Sequence, residues 1–330
     1  MKAMIADSFE ASGIEAIRSL GCQVIHEPKA GAEGLPDALR QASPDILIVR
    51  SSKVTPDAIK SAKGLKLIIR AGAGYDNIDV PTASAAGIPV SNCPGMNAVA
   101  VAELTMGLLI ALDRRLCEQN AAMLAGQWNK KEFSKARGLK GMTLGIVGCG
   151  AIGRAVMKRA LAFEMNVLAW SRSITREHAR DLGAQWAGTD TPALWDMASR
   201  CDAVSIHLPS APDTRQLIGR EFISRMKPGA YLINTSRGNV IDEEALLAAS
   251  REKNLRYGLD VYENAPAQTQ APWNCRLAQA DAGIVRVLTH HVGASTDQAQ
   301  RAVADETVRI VRVFMESGRA ENCVNAAAVS

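Results

Sequence analysis

The sequence has no apolar run long enough for a membrane helix, which needs about 18 residues or more. Its first residues, MKAMIADSF, lack the basic start and apolar core of a secretory leader. It holds no CxxC pair: seven cysteines, an odd number, stand far apart at 22, 93, 117, 149, 201, 275 and 323. That spacing argues against a disulfide framework and against a zinc site, so no metal is expected and the thiols suit a reducing cytosol. Nor is there a lysine or arginine run, and a net charge of +4 over 330 residues points to neither nucleic acid nor a membrane surface. Repeats of solenoid period are absent. These exclusions leave a cytoplasmic globular chain, 47% hydrophobic and 22% charged, long enough for two domains of ordinary size.

What is present is centred on Thr143-Leu-Gly-Ile-Val-Gly-Cys-Gly-Ala-Ile-Gly-Arg-Ala-Val156. The stretch begins as an apolar strand, turns through Gly148, Gly150 and Gly153, and leaves as a helix to about Phe163. A GxGxxG between a strand and a helix is a dinucleotide fingerprint. Gly148 makes the turn, Gly150 lets the backbone approach a pyrophosphate and Gly153 lets the helix close on the strand, with Ala151 and Ile152 between them at the helix start. Free N–H groups and the positive end of the helix dipole would hold the phosphates.

Before this stretch, residues 1 to about 95 alternate short apolar strands with helices, as a parallel sheet covered by helices does. Strands are expected at Ala3–Ala6, Gln23–Ile25, Ile46–Val49, Leu67–Ile69 and Pro89–Ser91. Two arginines, Arg50 and Arg70, fall at strand ends, where ligands sit in open α/β sheets. A helix from Asn97 to Arg114 is apolar on nearly every side and must be covered. The polar segment 115–141 that follows reads as an arm, and together they predict a homodimer. Past the glycines a second α/β unit has strands at Val167–Trp170, Ala203–His207, Tyr231–Asn234, Tyr257–Val261 and Arg286–Thr289, and a closing helix at Thr296–Ser317 is expected to pack back on the first unit.

At Asn234-Thr-Ser-Arg-Gly238, Gly258-Leu-Asp-Val261 and His291-Val-Gly-Ala-Ser-Thr296 the chain resembles the D-isomer-specific 2-hydroxyacid dehydrogenases, and among them the D-3-phosphoglycerate dehydrogenases. The likeness extends from Arg50-Ser-Ser-Lys-Val and Arg70-Ala-Gly-Ala-Gly-Tyr-Asp76 through Cys93-Pro-Gly-Met-Asn97 to the chain end. It implies two doubly wound parallel-sheet α/β domains, Rossmann-like and flavodoxin-like, with a cleft between them: 1–96 plus 290–330 for substrate, 97–289 for the dinucleotide. It also implies hydride transfer between a nicotinamide and a small 2-oxo or 2-hydroxy acid.

That chemistry needs a carboxylate anchored, a carbonyl polarised and a proton delivered to the developing alkoxide. Arg237 has the planar fork for carboxylate and carbonyl, and His291 is the acid/base that the resemblance implies. The N–H groups of Gly72, Ala73 and Gly74 would complete the carboxylate cradle. By the same match Asp260 touches the nicotinamide amide, Thr235 and Ser236 its ring, His207 and Leu208 the ribose side, and Gly293 and Ala294 also line the cofactor. Substrates that fit are 3-phosphohydroxypyruvate, with Arg50 and Arg70 on its phosphate, and hydroxypyruvate or glyoxylate. A chain of this length leaves no room after the second unit for a further regulatory domain.

Two features depart from the pattern. The family's glutamate before a proline is replaced at Tyr262-Glu-Asn-Ala-Pro266, where Ala265 stands in its place and Glu263 lies two residues earlier. Either the chain is impaired or its reaction needs less from His291; a dinucleotide-sensing protein similar to the C-terminal binding corepressors is the alternative. In addition, an NAD site carries Asp or Glu about 20 residues beyond the glycines. Here Ser171 and Arg172 occupy that place, so NADP(H) is expected over NAD(H), which the same loop can also accept.

Overall fold

The structure, a computed structural model, describes residues 1–28, 31–266, 270–281 and 283–329. The chain divides into two compact units, Met1–Asn97 with Ser295–Ser330, and Ala98–Ala294. The return to unit 1 thus falls at Ser295 rather than at 290, which keeps His291, Gly293 and Ala294 in the unit that carries the glycine loop.

In unit 1, β1 (Lys2–Ile5), β2 (Gln23–His26), β3 (Ile46–Val49), β4 (Leu67–Arg70) and β5 (Val90–Asn92) form a parallel sheet in the order β2-β1-β3-β4-β5. Strands buried on both faces read as unbroken apolar runs, as Ile46–Val49 and Leu67–Ile69 do. Asp79 caps the helix Val80–Ala85 through the N–H of Thr82, and Thr55 caps Pro56–Ser61 through that of Ala58, with proline at the first helical position. The long helix Asp297–Ser317 starts on the Thr296 cap and stops at Gly318, φ 69°. Its apolar residues Val308, Val311 and Phe314 join Ile14 and Ile17 of helix Ala11–Ser19 over one face of the sheet.

Unit 2 adds β6 (Thr143–Val147), β7 (Asn166–Trp170), β8 (Gln185–Gly188), β9 (Ala203–Ile206), β10 (Tyr231–Asn234), β11 (Arg256–Leu259) and β12 (Arg286–Leu288), all parallel, in the order β12-β11-β10-β9-β6-β7-β8. Alternate side chains feed two cores: Leu144, Ile146, Tyr231 and Ile233 on one face, Val147, Val204, Ile206 and Leu232 on the other. β8 is not expected from the sequence, because Gln185-Trp-Ala-Gly188 is a half-exposed edge with no apolar run. The apolar helix is Ala98–Arg114, and its own unit covers most of it. Met106, Leu108, Leu109 and Leu112 lie in one core with Val156, Met157 and Ala160, and a Cβ added at Gly258 of β11 would sit 3.1 Å from Leu108 Cβ. Val99 of the helix stays exposed, and more exposed apolar surface lies in the arm, at Leu116, Met123, Leu124 (82% exposed) and Trp128 (79%).

Candidate active site

In unit 2 the chain leaves β6 for β7 on one side, while β9 pairs on the other, so the sheet switches direction at the C-terminal end of β6. Open α/β sheets bind ligands at such a switch. Gly148 has φ +98°, and a Cβ there would lie 2.3 Å from the His207 carbonyl oxygen; one at Gly153 would lie 2.0 Å from Gly148 O. Around Gly150 nothing lies within 4 Å of the Cβ position. It is the N-cap of helix Ala151–Ala162, which has no side-chain cap, so the first N–H groups, those of Ala151 and Ile152 among them, are left for a ligand. An open cradle at an uncapped helix start fits a dinucleotide pyrophosphate.

The loops on either side complete this end. Trp170 O accepts the Gly148 N–H (2.9 Å) and the Cys149 thiol (3.5 Å), and burial pushes that thiol up to about 12, away from reactivity. Ser171 Oγ lies 3.5 Å from Ser173 Oγ. Arg172, offered by the sequence to a 2′-phosphate, is ion-paired with Asp213 in the loop after β9. The shared bond raises the Arg172 pKa and lowers that of Asp213. His207 retains some exposed surface, yet its Nδ1 is fully covered without a hydrogen-bond partner among the described residues, while Nε2 and Ser205 Oγ share a bond of 2.9 Å. Burial pushes this imidazole down to about 3, so it is neutral at physiological pH. Leu208 is buried and approaches the Gly148 turn.

Arg237, Asp260 and His291, the residues that the sequence reading gave to the reaction and its cofactor, follow three adjacent strands of unit 2. After β10, Asn234 organises the Arg237 loop: its Oδ1 accepts the Ser236 N–H (2.9 Å) and hydroxyl (2.7 Å), and its Nδ2 donates to Arg237 O (2.8 Å). Thr235 shares a hydroxyl bond of 2.9 Å with Thr105. Gly238 admits no side chain, since a Cβ would fall 1.9 Å from the Tyr262 carbonyl carbon. Past β11, the buried carboxylate of Asp260 accepts the Thr289 hydroxyl (2.6 Å) and the N–H groups of Val292 (2.9 Å) and Gly293 (2.8 Å). His291, between those donors, is exposed and holds a left-handed φ of 55°. Such a conformation in a residue with a Cβ persists where its surroundings enforce it, and three bonds to one carboxylate enforce it here. Asp260 is therefore first a clamp on the His291 loop. Ala265 is exposed, and Glu263 is ion-paired with Arg215 at 2.7 Å.

In unit 1 a second carboxylate works the same way. Asp7, at the switch between β1 and β3, accepts the N–H groups of Arg50 (2.6 Å), Ser51 and Ser52 (both 3.1 Å) and both serine hydroxyls. This fixes the loop that carries Arg50, whose Nη1 donates to Gln300 at 3.1 Å. Arg70 ends the next strand, with Val49 paired opposite it. Its guanidinium lies where a Gly72 side chain would be, 1.6 Å from the Cβ position at φ +147°. Asn92 Nδ2 holds Ala73 O at 2.6 Å, and Gly74 follows in that loop. Sequence reading gave no role to Asp7, Asn234, Asp213 or Arg215: Asp7 and Asn234 offered only a lone polar residue at a strand end, and Asp213 and Arg215 lie in the loop after β9 with no local signal.

The family of D-isomer specific 2-hydroxyacid dehydrogenases, NAD binding domain, matches residues 106–293. The chain is 38% identical to D-3-phosphoglycerate dehydrogenase of Methanocaldococcus jannaschii over 327 residues, 98% of this chain but 59% of that one. To hydroxypyruvate reductase of Thermotoga maritima it is 41% identical over 276 residues, 83% of this chain and 85% of the relative. An acyclic imino acid reductase solved in complex with NADPH and D-Arg superposes with a TM-score of 0.84 at 27% identity, covering 98% of this chain and 100% of that one. The chain belongs to the D-isomer-specific 2-hydroxyacid dehydrogenase family.

Proposed function

We propose that the protein is a D-2-hydroxyacid dehydrogenase that reduces a small 2-oxo acid, or oxidises the 2-hydroxy acid, with NADP(H) preferred and NAD(H) accepted. The observation that carries this is positional. Arg237, Asp260 and His291 follow β10, β11 and β12, at the C-terminal ends of adjacent strands in the sheet whose β6 carries the glycine loop. Bound nicotinamide supplies the hydride. Arg237 holds the acid's carboxylate and carbonyl oxygen in its fork, and His291 gives its proton to that oxygen as the charge develops. Asp260 and Asn234 keep both loops in place, so little ordering is left for the reactive step. Within unit 1, the Gly72–Gly74 loop offers backbone N–H groups suited to a carboxylate, and Arg50 and Arg70 offer guanidinium groups suited to a phosphate if the acid is 3-phosphohydroxypyruvate. A homodimer joined through the arm would cover Leu124 and Trp128.

Ala265 favours a second reading, dinucleotide sensing, because a methyl carries no charge and the acid nearest in sequence, Glu263, is tied to Arg215. The imino acid reductase adds 2-imino acids to the substrates worth testing: a protonated imine leaves no alkoxide for His291 to protonate. Steady-state rates with phosphohydroxypyruvate, hydroxypyruvate, glyoxylate and a 2-oxo acid plus ammonia, each with NADPH and NADH, test the proposal. Turnover of one of the oxo acids is expected. Tight nucleotide binding without turnover of any acid would move sensing ahead.

A further inference from the structure

We propose that Asp213 is a specificity-determining residue of the dinucleotide site: it holds Arg172 across the adenosine-ribose rim and must release it before the guanidinium can take a 2′-phosphate. The inference rests on the dinucleotide reading above and concerns which of the two cofactors that site prefers.

The placement is the first support. Arg172 follows β7 and Asp213 follows β9, and these strands flank β6 on its two sides. Their ion pair therefore spans from one neighbour of the glycine loop to the other. Anchoring is the second. Thr214 is buried, and its hydroxyl donates to Pro209 O at 2.7 Å and accepts the Ala211 N–H at 2.9 Å, while Arg215 is tied to Glu263. The loop that presents Asp213 is thus fixed from both following residues, and the carboxylate stays at the rim whichever way Arg172 turns. Exposure is the third. The two side chains are 50% and 59% exposed, so little packing opposes a swing of the guanidinium, and the pair is of the weak, water-screened kind that a phosphate dianion can displace.

Two consequences follow for binding. NAD(H) leaves the pair intact and finds at the rim a carboxylate in the role that family members give to a strand-end acid, on a different loop. NADP(H) gains Arg172 but must open the pair and bring its 2′-phosphate near the negative charge of Asp213. Asp213 therefore limits the NADP(H) preference that Arg172 creates.

Calorimetric titration of the purified protein with NADPH and NADH decides it, for the parent and for Asp213→Asn, Asp213→Glu and Arg172→Ala. Asp213→Asn is expected to tighten NADPH about three- to tenfold, the size set by one exposed ion pair and one screened repulsion, and to move NADH by less than about twofold. Asp213→Glu keeps the charge and should keep the parent's ratio of the two constants, and Arg172→Ala should weaken NADPH alone. An unchanged or lowered NADPH-to-NADH affinity ratio in Asp213→Asn overturns the inference and leaves the dinucleotide reading standing. Failure of the parent to bind either nucleotide overturns both. Because the pair is exposed, the variants are expected to melt with the parent.

Discussion

Two loops of the dinucleotide unit, after β6 and after β12, are fixed by opposite means. The glycine loop is held by shape: Gly148 and Gly153 leave no space for one more carbon, with backbone oxygens 2.3 and 2.0 Å from where it would be. The His291 loop is held by charge: one carboxylate, Asp260, receives three donors, and His291 keeps a backbone conformation that its Cβ disfavours. A position secured by exclusion should tolerate no added volume and ignore charge. One secured by a carboxylate should tolerate volume nearby and fail when the charge goes. The glycine loop then behaves as rigid scaffold, while the His291 loop is tunable by single acids.

The largest expected effect tests that tunability. Ala265 is exposed, so Ala265→Glu adds a carboxylate to the substrate side without disturbing either core. Reduction of the preferred 2-oxo acid should speed up by about 10- to 10⁴-fold, the range of general acid–base assistance, with the NADPH dissociation constant constant to within about twofold. A rate unchanged in single-turnover measurements would show that position 265 does not communicate with the proton step.

Next in size is a break on the other side of the comparison. Gly153→Ala places a methyl against Gly148 O, and overpacking of this kind costs about 3 kcal/mol. Urea titration should show the loss, and it should be the same at low and high salt. A loss below about 1 kcal/mol would mean that helix Ala151–Ala162 can shift to make room and that exclusion is not what fixes the loop.

The difference between the loops also explains what could be read from the sequence. Steric exclusion leaves glycines at fixed spacing beside apolar strands, so the turn after β6 and the parallel sheets were legible, and the motifs around Arg237 and His291 pointed to the family. Polar clamps leave one Asp or Asn. Asp7 and Asn234 pass for ordinary strand-end polar residues, and nothing in the sequence shows the three donors that Asp260 receives. Asp213 is 41 residues from Arg172, beyond any local pattern, so the guanidinium looked ready for a phosphate. The edge strand Gln185–Gly188 escaped because edges need no apolar run, and the apolar helix Ala98–Arg114 found its cover inside its own unit.

Removing the clamp's charge should cost less than the added methyl. Asp260→Asn keeps one acceptor oxygen and turns an amide NH₂ toward a backbone N–H, which leaves at least one buried donor unsatisfied at about 2 kcal/mol. On the proposed role of His291 as acid, with Asp260 holding its loop, kcat should fall about tenfold or more while KM and nucleotide affinity change little. If stability falls but kcat holds, the clamp serves the fold alone.

The smallest expected effect lies where the two means meet, at His207, whose carbonyl shapes the Gly148 turn and whose ring nitrogen Nδ1 is covered. Its imidazole sits at about 3 in the folded protein because burial disfavours the charged form, against about 6.5 in an unfolded chain. Between those values the unfolded chain holds the extra proton, so stability rises with pH: the contribution is fully present above about pH 6.5 and is lost as pH falls toward 3. The slope can reach at most about 1.4 kcal/mol per pH unit, and less here because the ring keeps some exposed surface and Ser205 Oγ can accept from a protonated Nε2. Several aspartates with lowered pKa, Asp45 and Asp202 among them, add losses of the same sign once pH drops through the carboxylate range. In the window from about pH 6.5 to 4.5, above where unperturbed carboxyls titrate, comparing His207→Gln with the parent isolates the ring, since the half-buried Glu243, whose pKa burial raises, titrates alike in both. In that window the stability of His207→Gln, measured by urea titration, should decline less steeply than the parent's. Parallel curves would mean that the ring reaches solvent when it charges, and that the β9 end of the site is looser than its buried nitrogen indicates.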